Sequence, residues 1–182
     1  DSLIVMGLIL ANTNRIKVGT VLLVPLRHPT ITAKMVGTLD HIAPGRVFLI
    51  PAVGGDYSHE YESCGVKVSE RAGRTNESLE IMCLLWTGEE VNYEGRYYRI
   101  QDATMLPPPV QPGGPPFWLA HRGKSEAAIR RTAKLGQGWF ASWVSPGSFQ
   151  RVWNRTLEYA QGYGRDPSTL TPASIIRIYV SD

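Results

Sequence analysis

Long apolar runs, cysteine and one-sided charge are what this sequence has least of. No apolar run reaches the roughly 18 residues that a membrane-spanning helix needs, and the N-terminus shows no basic-then-apolar signal pattern. Membrane insertion is therefore not expected. The two cysteines, Cys64 and Cys83, stand far apart and in no metal-ligand spacing. That argues against a disulfide framework and a zinc site, and for two free thiols in a reducing cytoplasm. Nineteen basic and 16 acidic residues leave a net charge of only +3, with the signs interspersed. Such a surface gives no reason to expect nucleic acid as a partner. Internal repeats and charge blocks are also missing.

What is present is ordinary globular material: 182 residues, 43% hydrophobic and 19% charged. The length suits one domain or a piece of a larger one. SLIVMGLILANT (Ser2 to Thr13) reads as a buried helix. RIKVGTVLLVP reads as a Val-rich strand buried on both sides, the kind found in parallel sheets. A helix follows, with Ile31, Met35, Val36 and Leu39 at helical spacing and Pro44-Gly45 to stop it. VFLIPAV is the next strand, and Val68 to Trp86 the next helix, with Leu79, Met82, Leu85 and Trp86 on one face. VNYEGRYYRI carries a hairpin signal at Glu94-Gly95. LPPPVQPGGPP is too rich in proline for a helix and reads as an extended, polyproline-like connection. After it come the strand FWLA, a helix, the strand GWFAS, a helix around Phe149 to Tyr159, and the strand ASIIRIYVS. Strands alternating with helices imply βαβ units and a parallel sheet. Five parallel strands are expected where an eight-stranded barrel would need three more. The chain thus reads as the middle of a barrel, cut at both ends.

Ligands of α/β folds gather where parallel strands end. PAVGGDYSHEY places Gly54-Gly55 at such an end, where backbone can approach a flat or charged ligand; a plain glycine turn is the alternative. Asp56, next along, could exchange a proton over a bound cofactor. His59-Glu60 is half of a metal motif and lacks the second histidine four residues on. FWLAHRGKSEAAIRRTAKLG holds the other unusual end. Ser125 suits an N-cap, Gly136 closes the helix, and first-turn amides lie behind Gly123 beside Arg122 and Lys124. That favours an anion such as phosphate, while a solvated strand-to-helix turn is the simpler alternative. His121, ending its strand, is the histidine best placed for a ligand; the five tryptophans are expected in core or lid roles.

From GTVLLVPLRHPTITAKMVGTLDHIAPGRVFL through GGDYSHEYESCGVKVSERAGRTNESLEIMCLLWTGEEVNYEGRYYRI to SEAAIRRTAKLGQGWF, the sequence resembles the luciferase-like monooxygenase family. The resemblance implies an α/β (β/α)8 TIM barrel of the bacterial luciferase type. Residues 1–182 would be one such domain, truncated at both ends and holding about strands three to seven. It implies a cofactor, reduced FMN or the deazaflavin coenzyme of the F420 type, across the C-terminal mouth. It further implies a non-prolyl cis peptide near Val21-Leu22, contacts from Gly54, Gly55, Asp56 and Tyr57, and a phosphate turn at Gly123, Lys124 and Ser125 flanked by His121 and Arg122. Pro51, the HRGKSE turn and Gln137 depart from the usual pattern, and the catalytic histidine of many relatives belongs to an N-terminal segment missing here.

The activity implied is that of an oxidoreductase on a small organic substrate, either oxygenation with O₂ or hydride transfer without it. Asp56 is the candidate proton donor. A cytoplasmic homodimer is the assembly implied for the intact parent. A non-catalytic flavin-binding protein and an inactive fragment of the enzyme are the alternatives.

Overall fold

A computed structural model describes residues 1–55, 57–175 and 180. Two compact units make up the chain, Asp1–Pro116 and Phe117–Asp182.

The first unit opens with helix α1 (Ser2–Ala11), whose first turn is capped by the Asp1 carboxylate accepting the Leu3 amide at 2.9 Å. Leu3, Met6 and Leu10 are buried, whereas Ile4, Val5 and Leu8 are exposed. Only one stripe of this wholly apolar helix is covered, so the expectation of a buried helix holds for one face. Strands β1 (Val18–Leu23) and β2 (Val47–Ala52) pair parallel, Val18 opposite Val47 and Leu23 opposite Ala52. Side chains alternate across the ladder. Leu22 is therefore buried while Val21 is exposed, which corrects the expectation of a strand covered on both sides.

A parallel pair needs a crossover, and α2 (Pro29–Ile42) supplies it. Pro29 at its first position pre-sets the helical φ. Ala33, Val36 and Leu39 point into the core, but Ile31 is exposed. A short α3 (Ser58–Ser63) precedes α4 (Arg71–Leu85), whose Leu79, Met82 and Leu85 are buried together with Trp86. The Trp86 indole N–H donates to the Ala33 carbonyl at 3.1 Å and ties α4 to α2.

The expected hairpin is present as β3 (Val91–Glu94) and β4 (Arg99–Ala103), antiparallel. Its turn spans Gly95 to Tyr98, and Glu77 of α4 accepts the amides of Arg96, Tyr97 and Tyr98 at 2.9, 2.9 and 3.1 Å. The proline-rich segment forms no helix, as expected, but it runs through bends and a turn that includes Gly113 and Gly114 rather than fully extended, and it is docked rather than free. Fully buried Asp40 accepts both the backbone amide and the Nε2 of Gln111 at 2.7 Å. The Gln111 Nε2 donates as well to the Val47 carbonyl at 3.0 Å.

The second unit is a three-stranded parallel sheet in the order β5 (Trp118–His121), β6 (Gly138–Ser142), β7 (Thr171–Ile175). Helices α5 (Glu126–Leu135) and α6 (Pro146–Gly162) make the crossovers. The strand expected at ASIIRIYVS begins earlier, at Thr171, and its residues 176–179 and 181 lie outside the described residues. Ile129, Trp139, Ala141 and Val152 form a core cluster, with Phe149 stacked on Trp139 at 5.0 Å between centroids. Gln137 holds the strand's start in place. Its Oε1 accepts the Phe117 amide at 2.8 Å and sets β5 in register.

Glu77→Gln replaces a carboxylate oxygen with an N–H₂ that faces amide donors. The variant is expected to lose roughly 1–3 kcal/mol, read as a lower urea midpoint with an unchanged slope.

Candidate functional site

Because β5 and β6 run parallel, both end on one edge of the sheet, and the helices that follow start there. Between the two strand-to-helix loops lies a cleft of about 700 Å³ lined by Arg122, Gly123, Lys124, Glu126, Trp143, Ser145, Arg151 and Arg155, among others. Four cations face one carboxylate. Arg122 and Lys124 are exposed and make no hydrogen bond or ion pair among the described residues. Ser125 caps α5, accepting the Ala128 amide at 3.4 Å, and the Ala128 and Ile129 amides also reach the Ser125 carbonyl at 3.1 Å. That leaves the Glu126 and Ala127 amides as first-turn donors for an anion. At α6, the Ser145 hydroxyl makes no capping bond. The residue types fit a phosphate: two unpaired cations, two free amides and a hydroxyl.

Three of the residues the sequence singles out here, Arg122, Gly123 and Lys124, line the cleft, and Ser125 opens the helix beside them. His121 does not join them as a ligand contact. Its Nε2–H donates to Thr132 Oγ1 at 3.0 Å, and that hydroxyl donates to the Ala128 carbonyl at 3.1 Å. Its Nδ1 accepts the Gly123 amide at 3.1 Å. Both ring nitrogens are thus engaged, and the donor pattern fixes the neutral, Nε2-protonated tautomer. The ring stacks on Trp139 at 5.2 Å, and the Trp139 indole N–H donates to the His121 carbonyl at 3.1 Å. Burial, and then the nearby Arg131, push the imidazole pKa down to about 4. His121 shapes the loop from behind. The Gly123 amide is spent on it and is not available to a ligand.

Gly123 is required here on two counts. Its φ is +71°, and a Cβ would stand 2.6 Å from Val152 Cγ2. Trp143 adopts a left-handed backbone without being glycine, at φ +58°, which costs about 1–2 kcal/mol. It is 57% exposed and forms the cleft's aromatic wall. Sequence reasoning assigns no tryptophan a ligand role; its place directly after GWFAS, at a strand end, is the available signal. Arg151 and Arg155, a turn apart on α6, belong to no local motif and become visible only in the fold.

In the first unit, β2 ends in the Gly54-Gly55 turn, both glycines at positive φ, +59° and +107°. A Cβ on Gly54 would meet the Tyr61 hydroxyl and Leu23, and one on Gly55 would meet Arg71 Nε at 2.9 Å. The Tyr61 hydroxyl donates to the Val53 carbonyl beneath the turn. Tyr57 is exposed, and Asp56 lies outside the described residues. Val21 and Leu22 sit in the regular β1–β2 ladder opposite Ile50 and Pro51. Among the described residues the cis peptide bond is Leu106–Pro107, so the cis bond expected near Val21-Leu22 is not found there; trans peptides keep that ladder in register. Also among the described residues, no three His, Cys, Asp or Glu side chains gather to hold a metal ion.

Two outcomes follow from the His121–Gly123 arrangement. The folded His121 pKa lies below its ordinary 6.5, so the unfolded chain binds more protons between the two values. The stabilisation from neutral His121 is whole above about pH 6.5 and is lost as pH falls toward about 4. Urea titrations across that window should show a steeper loss in the wild type than in His121→Gln, and parallel profiles would contradict the assignment. Gly123→Ala should cost roughly 1–3 kcal/mol by the same measurement, from strain and the Val152 contact together.

Compared with known proteins, residues 1–182 match the luciferase-like monooxygenase family. The chain is 34% identical over 172 residues to the F420-dependent glucose-6-phosphate dehydrogenase of Segniliparus rotundus, an overlap of 88% of this chain and 49% of that protein. It spans about half the length of the curated relatives it matches. Among solved structures, riboflavin lyase with modified FMN and riboflavin superposes with a TM-score of 0.86 at 18% identity, covering 96% of this chain and 44% of the other. An F420-dependent secondary alcohol dehydrogenase holding an F420–acetone adduct gives 0.84 at 23% identity, covering 96% and 53%. These likenesses establish a shared fold. The chain belongs to the luciferase-like monooxygenase family.

Proposed function

We propose that this chain is part of an oxidoreductase that uses a deazaflavin cofactor of the F420 type, with FMN as the second choice, on a small organic substrate. The observation that carries the reading is the cleft at the ends of β5 and β6, lined together by Arg122, Lys124 and the opening of α5. F420 is preferred because curated relatives at 33–34% identity are named for it, whereas the FMN-bearing structure stands at 18%. The parallel pair β1 and β2 of the first unit and the parallel trio β5, β6 and β7 of the second are read as the third to seventh strands of a (β/α)8 barrel, residues 1–182 being one domain.

When bound, such a cofactor supplies the hydride chemistry, or with FMN the reaction with O₂. The chain's own residues bind and orient it. Lys124 and Arg122 neutralise the phosphate, and the Glu126 and Ala127 amides fix its position. Trp143 shields that end from water. In the first unit, the Gly54-Gly55 turn offers backbone at close range, with Val21, Leu22 and Tyr57 assigned places beside it. Asp56 is proposed to hold the exchangeable proton.

The test is a titration of the full chain with oxidised F420 and with FMN, followed by fluorescence. Lys124→Glu reverses a charge at the phosphate and is expected to weaken F420 binding at least about tenfold, or about 1.4 kcal/mol. Equal affinity of the two proteins would overturn the phosphate assignment.

A further inference from the structure

One acidic side chain stands among the cleft's cations, and its partners are specific. Glu126, at the first position of α5, accepts the Tyr159 hydroxyl on Oε1. Its Oε2 lies 3.1 Å from Arg155 Nη2, and Oε1 lies 3.5 Å from Arg130 Nε. Arg155 is held further by the Tyr159 hydroxyl, 3.4 Å from its Nε and 3.3 Å from its Nη2. Of the four cleft cations, Arg155 is therefore already paired, and Arg151 leans on the Ser148 hydroxyl at 3.0 Å. Arg122 and Lys124 alone are without partners among the described residues. The Tyr159 hydroxyl first, then Arg155 and Arg130, hold the Glu126 carboxyl below the usual range, so it is ionised at neutral pH.

We propose that Glu126 acts as a built-in anion that takes Arg155 out of service and limits the cleft to a single phosphate group. This rests on reading the cleft as a phosphate site. Two unpaired cations and two amides suffice for one dianionic phosphate. A second phosphate, drawn toward Arg151 and Arg155, gains Arg155 only if that guanidinium first releases Glu126, and it would meet that carboxylate's charge. Glu126 is thus a specificity residue favouring a phosphate monoester or diester over a pyrophosphate. Tyr159 contributes by keeping the carboxylate in place, since its ring also packs under Arg130 at 4.5 Å.

The experiment is calorimetric titration of the full chain with inorganic phosphate and with pyrophosphate. Glu126→Gln is expected to tighten pyrophosphate about tenfold and phosphate no more than about threefold. Adding Arg155→Gln to that variant should abolish the pyrophosphate gain. Arg155→Gln alone leaves Glu126 with only the more distant Arg130 guanidinium and should weaken phosphate about threefold, a readout that stands if Glu126→Gln does not fold. Equal gains for the two ligands, no gain, a gain that survives loss of Arg155, or unchanged phosphate affinity in Arg155→Gln would each overturn the proposal. A wild-type chain that binds neither anion would sink the phosphate-site reading itself, and the proposal with it. Phosphate binding with an unaltered ligand ratio would sink the proposal alone.

Discussion

Parallel pairing of β5 with β6 is the constraint on which the candidate site depends. With Trp118 opposite Gly138 and His121 opposite Ala141, both strands finish at the same level. Each continues through a short loop into a helix, so α5 and α6 direct their N-termini to one edge. The partial positive ends of two helices and the side chains of two loops then share one space. An antiparallel pair would have sent one of those helix starts to the opposite edge. Every later feature of the cleft, from its charge to its aromatic wall, needs this register first.

Packing then sets the loop within that register. Gly123 has its amide held by His121 on one side and its Cα against Val152 on the other. His121 is fixed in turn by Thr132 of α5, and its carbonyl accepts from Trp139 of β6. One strand end is therefore tied to its own helix, to the next strand and to the next helix. The loop can present Arg122 and Lys124 to solvent because its backbone is committed behind them. In the first unit the same principle uses different parts: Tyr61 and Leu23 crowd Gly54, and Arg71 crowds Gly55.

Much of this is legible in the sequence, for identifiable reasons. The strands VFLIPA and GWFAS, the hairpin and the helix at Ser125 follow from period, capping and turn chemistry, all of which are local. The role of His121 is not legible, because position at a strand end says nothing about which neighbour takes the ring nitrogens. Thr132, eleven residues away, decides it, and only the fold brings it near. Arg151, Arg155 and Trp143 escape for a related reason, since convergence on a cleft is a property of two loops together. The docked proline segment reads as a spacer because composition shows its stiffness but not the buried carboxylate of Asp40 that holds it.

The cleft's electrostatics divide into two kinds of work that sequence proximity merges. Attraction belongs to Arg122 and Lys124, both exposed, where charge acts through water and is screened by salt. Shape belongs to His121, whose neutral form is the one that fits. A proton on Nδ1 would add a charge beside the cationic cleft, yet it would also point a donor at the Gly123 amide and dismantle the turn that carries Arg122 and Lys124. A histidine beside a cleft lined by arginine and lysine is easily taken for a further contributor of charge. Here the hydrogen bonds require the opposite: the site is better served by an imidazole that stays neutral and holds the backbone in place.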